Sequence, residues 1–258
     1  MSQALVTVVI PIHLEEPTEL EQISLAQTLA VLHRHPITFM TPVGLNVAWY
    51  ENFCQGKAQI HFERFQWKGR NEFCALLCAP AFYQQFLQYE YMLICHLDAF
   101  VFRDELEHWC QLGYDYIGAV VYNRIWLKNN RLRTLLGFRY PEYMGNGGFA
   151  LKKVSSFHHM TSKFKWYIDF YIWVWRQRKA EFLDDIFLAQ HFPRLSSEFS
   201  IAPKPLAQKF AAAYEQWDEA SLPFTNENNE NLPFGTHGWI LCHQDFWKPC
   251  IQRYGHTI

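Results

Sequence analysis

From Leu5 to Ile12 the chain reads LVTVVIPI, with no charged position. A β-branched run of this length ending at a proline fits a strand buried on both faces, as in a parallel sheet covered by helices. Thr18 and Glu21 follow at the spacing of a capping box, and Leu20, Ile23, Leu25, Leu29 and Leu32 supply an apolar helical face that Pro36 ends. Ile37 to Met40 predicts a second strand, Asn46 to Cys54 a helix, and Gln59 to Phe62 a third short strand. Two helical segments, Asn71 to Cys78 and Pro80 to Gln88, precede the apolar strand YMLIC from Tyr91 to Cys95. DYIGAVV, beginning at Asp115, reads as a further strand. Strands alternating with helices predict an α/β fold with a mostly parallel, doubly wound central sheet flanked by helices.

Other segments are less regular. Asn123 to Tyr140 is basic and turn-rich and is expected to be a surface excursion, while Thr225 to Asn231 reads as a polar loop. The aromatic run FKWYIDFYIWVW, Phe164 to Trp175, is expected to be a buried helix; the alternative places it at a membrane interface near a lipid-linked acceptor. His33, His35, His158 and His159 fit solvated helix ends.

Composition narrows the class. With 258 residues, half of them hydrophobic and 17% aromatic, the chain can bury one large core, so residues 1–258 are expected to form a single domain. A net charge of −2 gives no electrostatic footprint for nucleic acid and favours small-molecule partners. The start shows no signal-peptide pattern, and no run of about 18 apolar residues is free of charge, so a cytoplasmic location is expected, at most peripheral on the inner face of a membrane. Seven cysteines, odd in number and scattered through apolar segments, read as reduced buried thiols. Cys74 and Cys78 lack the second pair that a zinc site needs.

Four constellations could carry chemistry. His96-Leu97-Asp98 follows YMLIC at the carboxyl end of a strand, where open α/β sheets bind ligands. Alternate residues of an extended segment point the same way, so His96 and Asp98 could face one metal-bound diphosphate; equally, Asp98 could cap a turn and His96 could be packed. Gly145-Asn146-Gly147-Gly148 leads into an apolar strand and permits close backbone approach, but has neither dinucleotide-fingerprint nor P-loop spacing. Asp184-Asp185 stands at a helix start, where carboxylates complement the dipole and where one could act as general base. In Pro233 to Trp239 a histidine between glycines reads as a ligand-gripping loop, with Trp239 the best exposed surface for stacking a sugar.

Taken in order, VTVVIPI, the helix carrying Asn71, LICHLDAFVF, YDYIGA, GNGGFALKK, LDDIF and PFGTHGW resemble a bacterial glycosyltransferase-like family of GT-A type, catalogued as a domain of unknown function and associated with surface-polysaccharide loci. The resemblance implies a single GT-A-like (Rossmann-like) domain that transfers a sugar from a nucleotide-sugar donor to a glycan or lipid-linked glycan. It places the donor against Ile12, His13, Arg70, Asn71, His96, Asp98, Gly147 and Gly148, and a Mn²⁺ or Mg²⁺ ion at Asp98 and His237. Asp185 matches the base of an inverting reaction. His96 stands where the family's Asp-x-Asp segment has its first aspartate, which weakens the site for a hard cation and leaves a metal-free variant open, with Arg70 and Lys68 at the diphosphate. Two other readings stay open: a catalytically silent carbohydrate-binding domain, and a sugar nucleotidyltransferase that would release pyrophosphate.

Overall fold

The computed structural model describes residues 3–120, 145–213, 222–227 and 229–258. The uncharged opening run is β1 (Ala4–Pro11), and its two faces are both covered: Val6, Val8 and Ile10 enter one hydrophobic cluster and Val9 the other. Thr7, the polar position inside it, is satisfied by Thr38 Oγ1 at 3.1 Å and the carbonyl of Pro36 at 3.0 Å. The expected capping box is present at the start of α1 (Glu19–Leu32): Thr18 Oγ1 accepts from the Glu21 N–H, and the Thr18 N–H donates to Glu21 Oε2 at 2.8 Å. Such a cap is worth about 1 kcal/mol.

Alternation continues through β2 (Ile37–Pro42), α2 (Ala48–Cys54), β3 (Ile60–Phe65), α3 (Gly69–Leu76), α4 (Pro80–Gln84), β4 (Tyr89–Cys95), β5 (Ala99–Val101), α5 (Leu106–Gln111) and β6 (Tyr116–Val120). The chain then runs through β7 (Gly145–Lys153), α6 (Val154–Lys163), α7 (Lys165–Gln177), α8 (Asp184–Leu195), α9 (Lys204–Phe210), β8 (Ala211–Ala212), β9 (Gly235–His237) and α10 (Gln244–Gln252). The segment expected as a surface excursion, 123–140, lies outside the described residues.

One sheet joins all these strands in the order β3-β2-β1-β4-β7-β6-β8-β9-β5. β1, β2, β3 and β4 are parallel, and β7 enters antiparallel between β4 and β6. Helices α1, α2, α5 and α9 bury one face, and α3, α4, α6, α7 and α8 the other. A third cluster, with Phe100, Phe102, Trp239, Phe246 and Trp247, closes the sheet where α10 meets β5. The structure thus has the expected α/β architecture, a mostly parallel sheet between helical layers.

Three local expectations are corrected. The aromatic run forms a helix, but only one side is covered: Ile168 is buried and Tyr167, Tyr171, Ile172 and Trp175 pack on the core, while Trp166, Phe170 and Trp173 are exposed to 72%, 58% and 55%. The helix thus meets the core along one stripe, as a surface helix does, and turns its other aromatic side chains outward. Trp239 is fully buried in the third cluster and donates its Nε1–H to Ser24 Oγ at 2.8 Å, so it offers no face for a sugar. His35 is also buried, with Nε2 3.2 Å from Asp104. The seven cysteines are free, and six are buried. Among the described residues no helix is long and apolar enough to cross a membrane.

Candidate active site

β4 ends at Cys95 and the chain turns at once: the His96 carbonyl accepts from the Ala99 N–H at 3.0 Å. His96-Leu97-Asp98 is therefore a turn, not the extended segment expected from strand alternation, and it is the turn that aims His96 and Asp98 toward one point. Backbone bonds fix it from two sides. The His96 N–H donates to the Gly148 carbonyl at 2.8 Å, and the Gly238 N–H to the Asp98 carbonyl at 2.9 Å. His237 arrives opposite Ala99 because β9 pairs antiparallel with β5. The expected flexible loop around His237 is thus a short strand. A Cβ at Gly235 would lie 2.6 Å from the Phe149 ring, so that glycine serves close packing.

One ligand atom each from His96, Asp98 and His237 lie within 4.8 Å of one another. His237 Nε2 is 3.1 Å from Asp98 Oδ1, and the two imidazoles meet edge to face with centroids 5.3 Å apart. His96 Nε2 is buried with no hydrogen-bond partner among the described residues. Burial, then the neighbouring His237, lowers the His96 pKa to about 4, against the opposing pull of Asp98; nearby Lys152 and His13 act in the same lowering direction. Burial would raise Asp98, but the charge and hydrogen bond of His237, then His96, outweigh it and hold the carboxyl well below its ordinary range. At neutral pH the cluster therefore presents a neutral imidazole and an ionised carboxylate, the forms that bind metals. A buried nitrogen without a partner, a carboxylate and a second imidazole fit a divalent cation.

β7 runs beside this cluster. Its register against β6 shifts between Gly118 and Ala119, which pair with Ala150 and Asn146, so Gly147, Gly148 and Phe149 bulge out of that ladder. Bulges re-aim the groups around them. A Cβ at Gly148 would fall 2.0 Å from His237 Nε2, so His237 occupies the space a side chain would need. At Gly147 a Cβ would lie 3.1 Å from that of Asp185, and the Gly147 N–H donates to Asp185 Oδ2 at 3.0 Å. The second Asp185 oxygen accepts from the Ile186 N–H at 2.7 Å. Both glycines thus make room for side chains of the chain itself, Gly148 for His237 and Gly147 for Asp185.

The acidic pair divides at the start of α8. Asp185 is partly exposed, whereas Asp184 is buried, with Oδ2 3.9 Å from Nζ of the equally buried Lys152. Burial, opposed by Lys152 and aided by Asp185, pushes the Asp184 pKa up to about 6. Lys152 also donates to the Tyr83 hydroxyl at 3.4 Å. Sequence reasoning missed this lysine; its signal was the strand alternation that puts it on the face of Ala150.

The other residues expected at the donor differ in exposure. His13 is exposed and felt electrostatically by His96, while the Ile12 side chain is in the core and its N–H donates to the Met40 carbonyl at 2.9 Å. Arg70 is exposed, 3.5 Å from Glu181, and Asn71 Oδ1 accepts from the Phe182 N–H at 3.1 Å. These two tie α3 to the segment leading into α8, on the side of Asp185.

A sheet of this order with a ligand cluster at the end of its central strand is a GT-A-like fold. Mouse xyloside xylosyltransferase 1, in its apo form, superposes with a TM-score of 0.60 at 10% identity, over 91% of this chain and 97% of its own. The galactosyltransferase LgtC, in complex with donor and acceptor sugar analogues, gives 0.59 at 13% identity, over 96% and 94%. GlyE, a glycosyltransferase of Streptococcus pneumoniae TIGR4, gives 0.52 at 11% identity, over 99% and 61%. At these identities the likeness is one of fold. In sequence, the chain belongs to the family described as "Protein of unknown function (DUF5672)", which it matches over residues 58–237. No curated protein matches it in sequence.

Proposed function

We propose that this chain is a nucleotide-sugar-dependent glycosyltransferase that moves a sugar to a hydroxyl of a glycan or glycolipid acceptor in surface-polysaccharide biosynthesis. The observation that carries this reading is the convergence of His96, Asp98 and His237 at the carboxyl end of β4, where open α/β sheets bind ligands. Mn²⁺ or Mg²⁺ held there would supply positive charge for the departing diphosphate. Gly148 seats His237 in this cluster, and His13 stands close enough to contribute at its edge. Arg70, exposed beside Glu181, can turn to a donor phosphate, and Asn71 fixes the approach to α8.

Asp185 is the group proposed to receive the proton of the acceptor hydroxyl in an inverting reaction. The N–H groups of Gly147 and Ile186 orient it, one on each oxygen, and each oxygen keeps a second lone pair for the incoming hydroxyl. Asp184, turned into the core toward Lys152, is excluded from that role by burial.

The test is to follow nucleotide release and thermal stabilisation of the purified protein with UDP-, GDP-, CMP- and dTDP-sugars, with and without Mn²⁺. One nucleotide family should stabilise the wild type and be turned over, and Asp98→Ala should abolish both. Pyrophosphate release from a nucleoside triphosphate and sugar phosphate would establish a nucleotidyltransferase instead. Sugar-nucleotide binding without turnover, unchanged in Asp185→Asn, would establish a binding domain.

A further inference from the structure

Most exposed large apolar side chains of the described residues are scattered along the sequence: Leu14, Val43, Leu87, Leu112 and Leu241. The exception is α7. Trp166, Phe170 and Trp173 recur at intervals of four and three, which puts them on one helical face, and the rings of Phe170 and Trp173 stack with centroids 6.0 Å apart. Nothing in the candidate active site uses this stripe, and the core is served by the opposite side of the helix, through Tyr167, Ile168, Tyr171, Ile172 and Trp175.

Charge selects what could cover it. Within Phe164 to Trp175, Lys165 and Asp169 balance each other and form an ion pair. The helix end and its approach then add Lys163, Arg176, Arg178 and Lys179, all exposed, in a chain whose net charge is −2. Glu181, the next carboxylate along the chain, is paired with Arg70. An aromatic stripe bordered by cations is complementary to anionic headgroups above an apolar interior, and tryptophan is favoured at that boundary. A second copy meeting this face across a two-fold axis would set the same cations against themselves.

We propose that the exposed face of α7 docks the protein peripherally on an anionic lipid bilayer. Docking does not depend on the transfer reaction proposed above. Read together with it, docking acquires a purpose: α7 packs directly on α8, with the rings of Tyr171 and Phe187 4.7 Å apart and the Tyr167 hydroxyl 2.7 Å from His191 Nδ1. α8 begins with Asp184 and Asp185, so the site lies one helix from the membrane, within reach of a lipid-linked acceptor.

The experiment is flotation of the full chain with phosphatidylcholine vesicles, with and without phosphatidylglycerol, at low and high salt. Wild type should float with the anionic vesicles, less so at high salt, with a blue shift of tryptophan fluorescence. Trp166→Ser/Trp173→Ser should abolish flotation, and Arg176→Glu/Arg178→Glu should weaken it by about tenfold or more. The substituted positions are exposed, so unchanged thermal melting and unchanged nucleotide release are the controls for folding and for the separate proposal on the active site. Absence of flotation, equal flotation with neutral vesicles, or variants that float like wild type would overturn the proposal. So would a concentration-dependent dimer lost in Trp166→Ser/Trp173→Ser, which would assign the face to a second copy.

Discussion

At residue scale the donor set of the candidate metal site, His96, Asp98 and His237, decides which cation it would prefer. Two imidazoles and one carboxylate form a softer donor set than two carboxylates, and favour Mn²⁺ or Zn²⁺ over Mg²⁺. Metal titration read as thermal stabilisation should therefore rank Mn²⁺ and Zn²⁺ above Mg²⁺, and His96→Asp should narrow that gap; an unchanged ranking would remove His96 from the donor set. Gly148 gives a steric prediction. An alanine Cβ 2.0 Å from His237 Nε2 must displace the ring or the strand, so Gly148→Ala should lose Mn²⁺ stabilisation and cost about 1–3 kcal/mol in urea unfolding. Gly147→Ala, whose Cβ meets Asp185 at 3.1 Å, should be milder and leave metal binding intact.

At the scale of elements, Lys152 of β7 and Asp184 of α8 couple strand to helix beneath the site. The Asp184 carboxyl titrates near 6 in the fold and near its ordinary value of about 3.9 when unfolded, so the folded chain holds its proton more tightly. Its contribution is greatest below the unfolded value and is lost as pH rises through the folded one. Urea unfolding of wild type and Asp184→Asn at pH values below and above this window should show wild type losing ground to the variant as pH rises. A pH-independent difference would show that Asp184 stays ionised beside Lys152 throughout. Elements with a strong local signal were legible in the sequence: β1 and β4 from uninterrupted apolar runs, α1 from its capping box. Those defined by a distant partner were not. β9 has three residues and exists only because β5 and β8 pair with it, and nothing local in GNGGFALKK shows that β7 enters antiparallel. The site followed the same rule. His96, Asp98 and His237 stood out by residue type, whereas the turn that joins them and the lysine behind Asp184 depend on packing. Trp239 is buried where exposure was expected, and one face of α7 is exposed where burial was expected, because aromatic richness alone does not tell which face meets the core.

For the whole molecule, the seven thiols report whether residues 1–258 open as one unit. Cys54, Cys95 and Cys110 lie in the cluster on one face of the sheet, Cys74 and Cys78 in that on the other, and Cys250 in the third cluster under α10. Burial pushes the thiol of Cys54 up to about 11 and those of Cys95 and Cys110 to about 12, and raises Cys74, Cys78 and Cys250 as well. Thiolate is the reactive form, so these six are doubly protected, by access and by ionisation, while Cys242 is partly exposed. A disulfide reagent at mildly alkaline pH should modify one thiol rapidly and the other six in a single slow phase that tracks global unfolding and accelerates with urea. Early release of Cys250 alone would show that α10 opens as a separate cooperative unit while β9, and with it His237, stays paired in the sheet. Peptide mapping of the modified cysteines at early times distinguishes the two outcomes, and a single slow phase would mean that the ligand cluster persists as long as the sheet does.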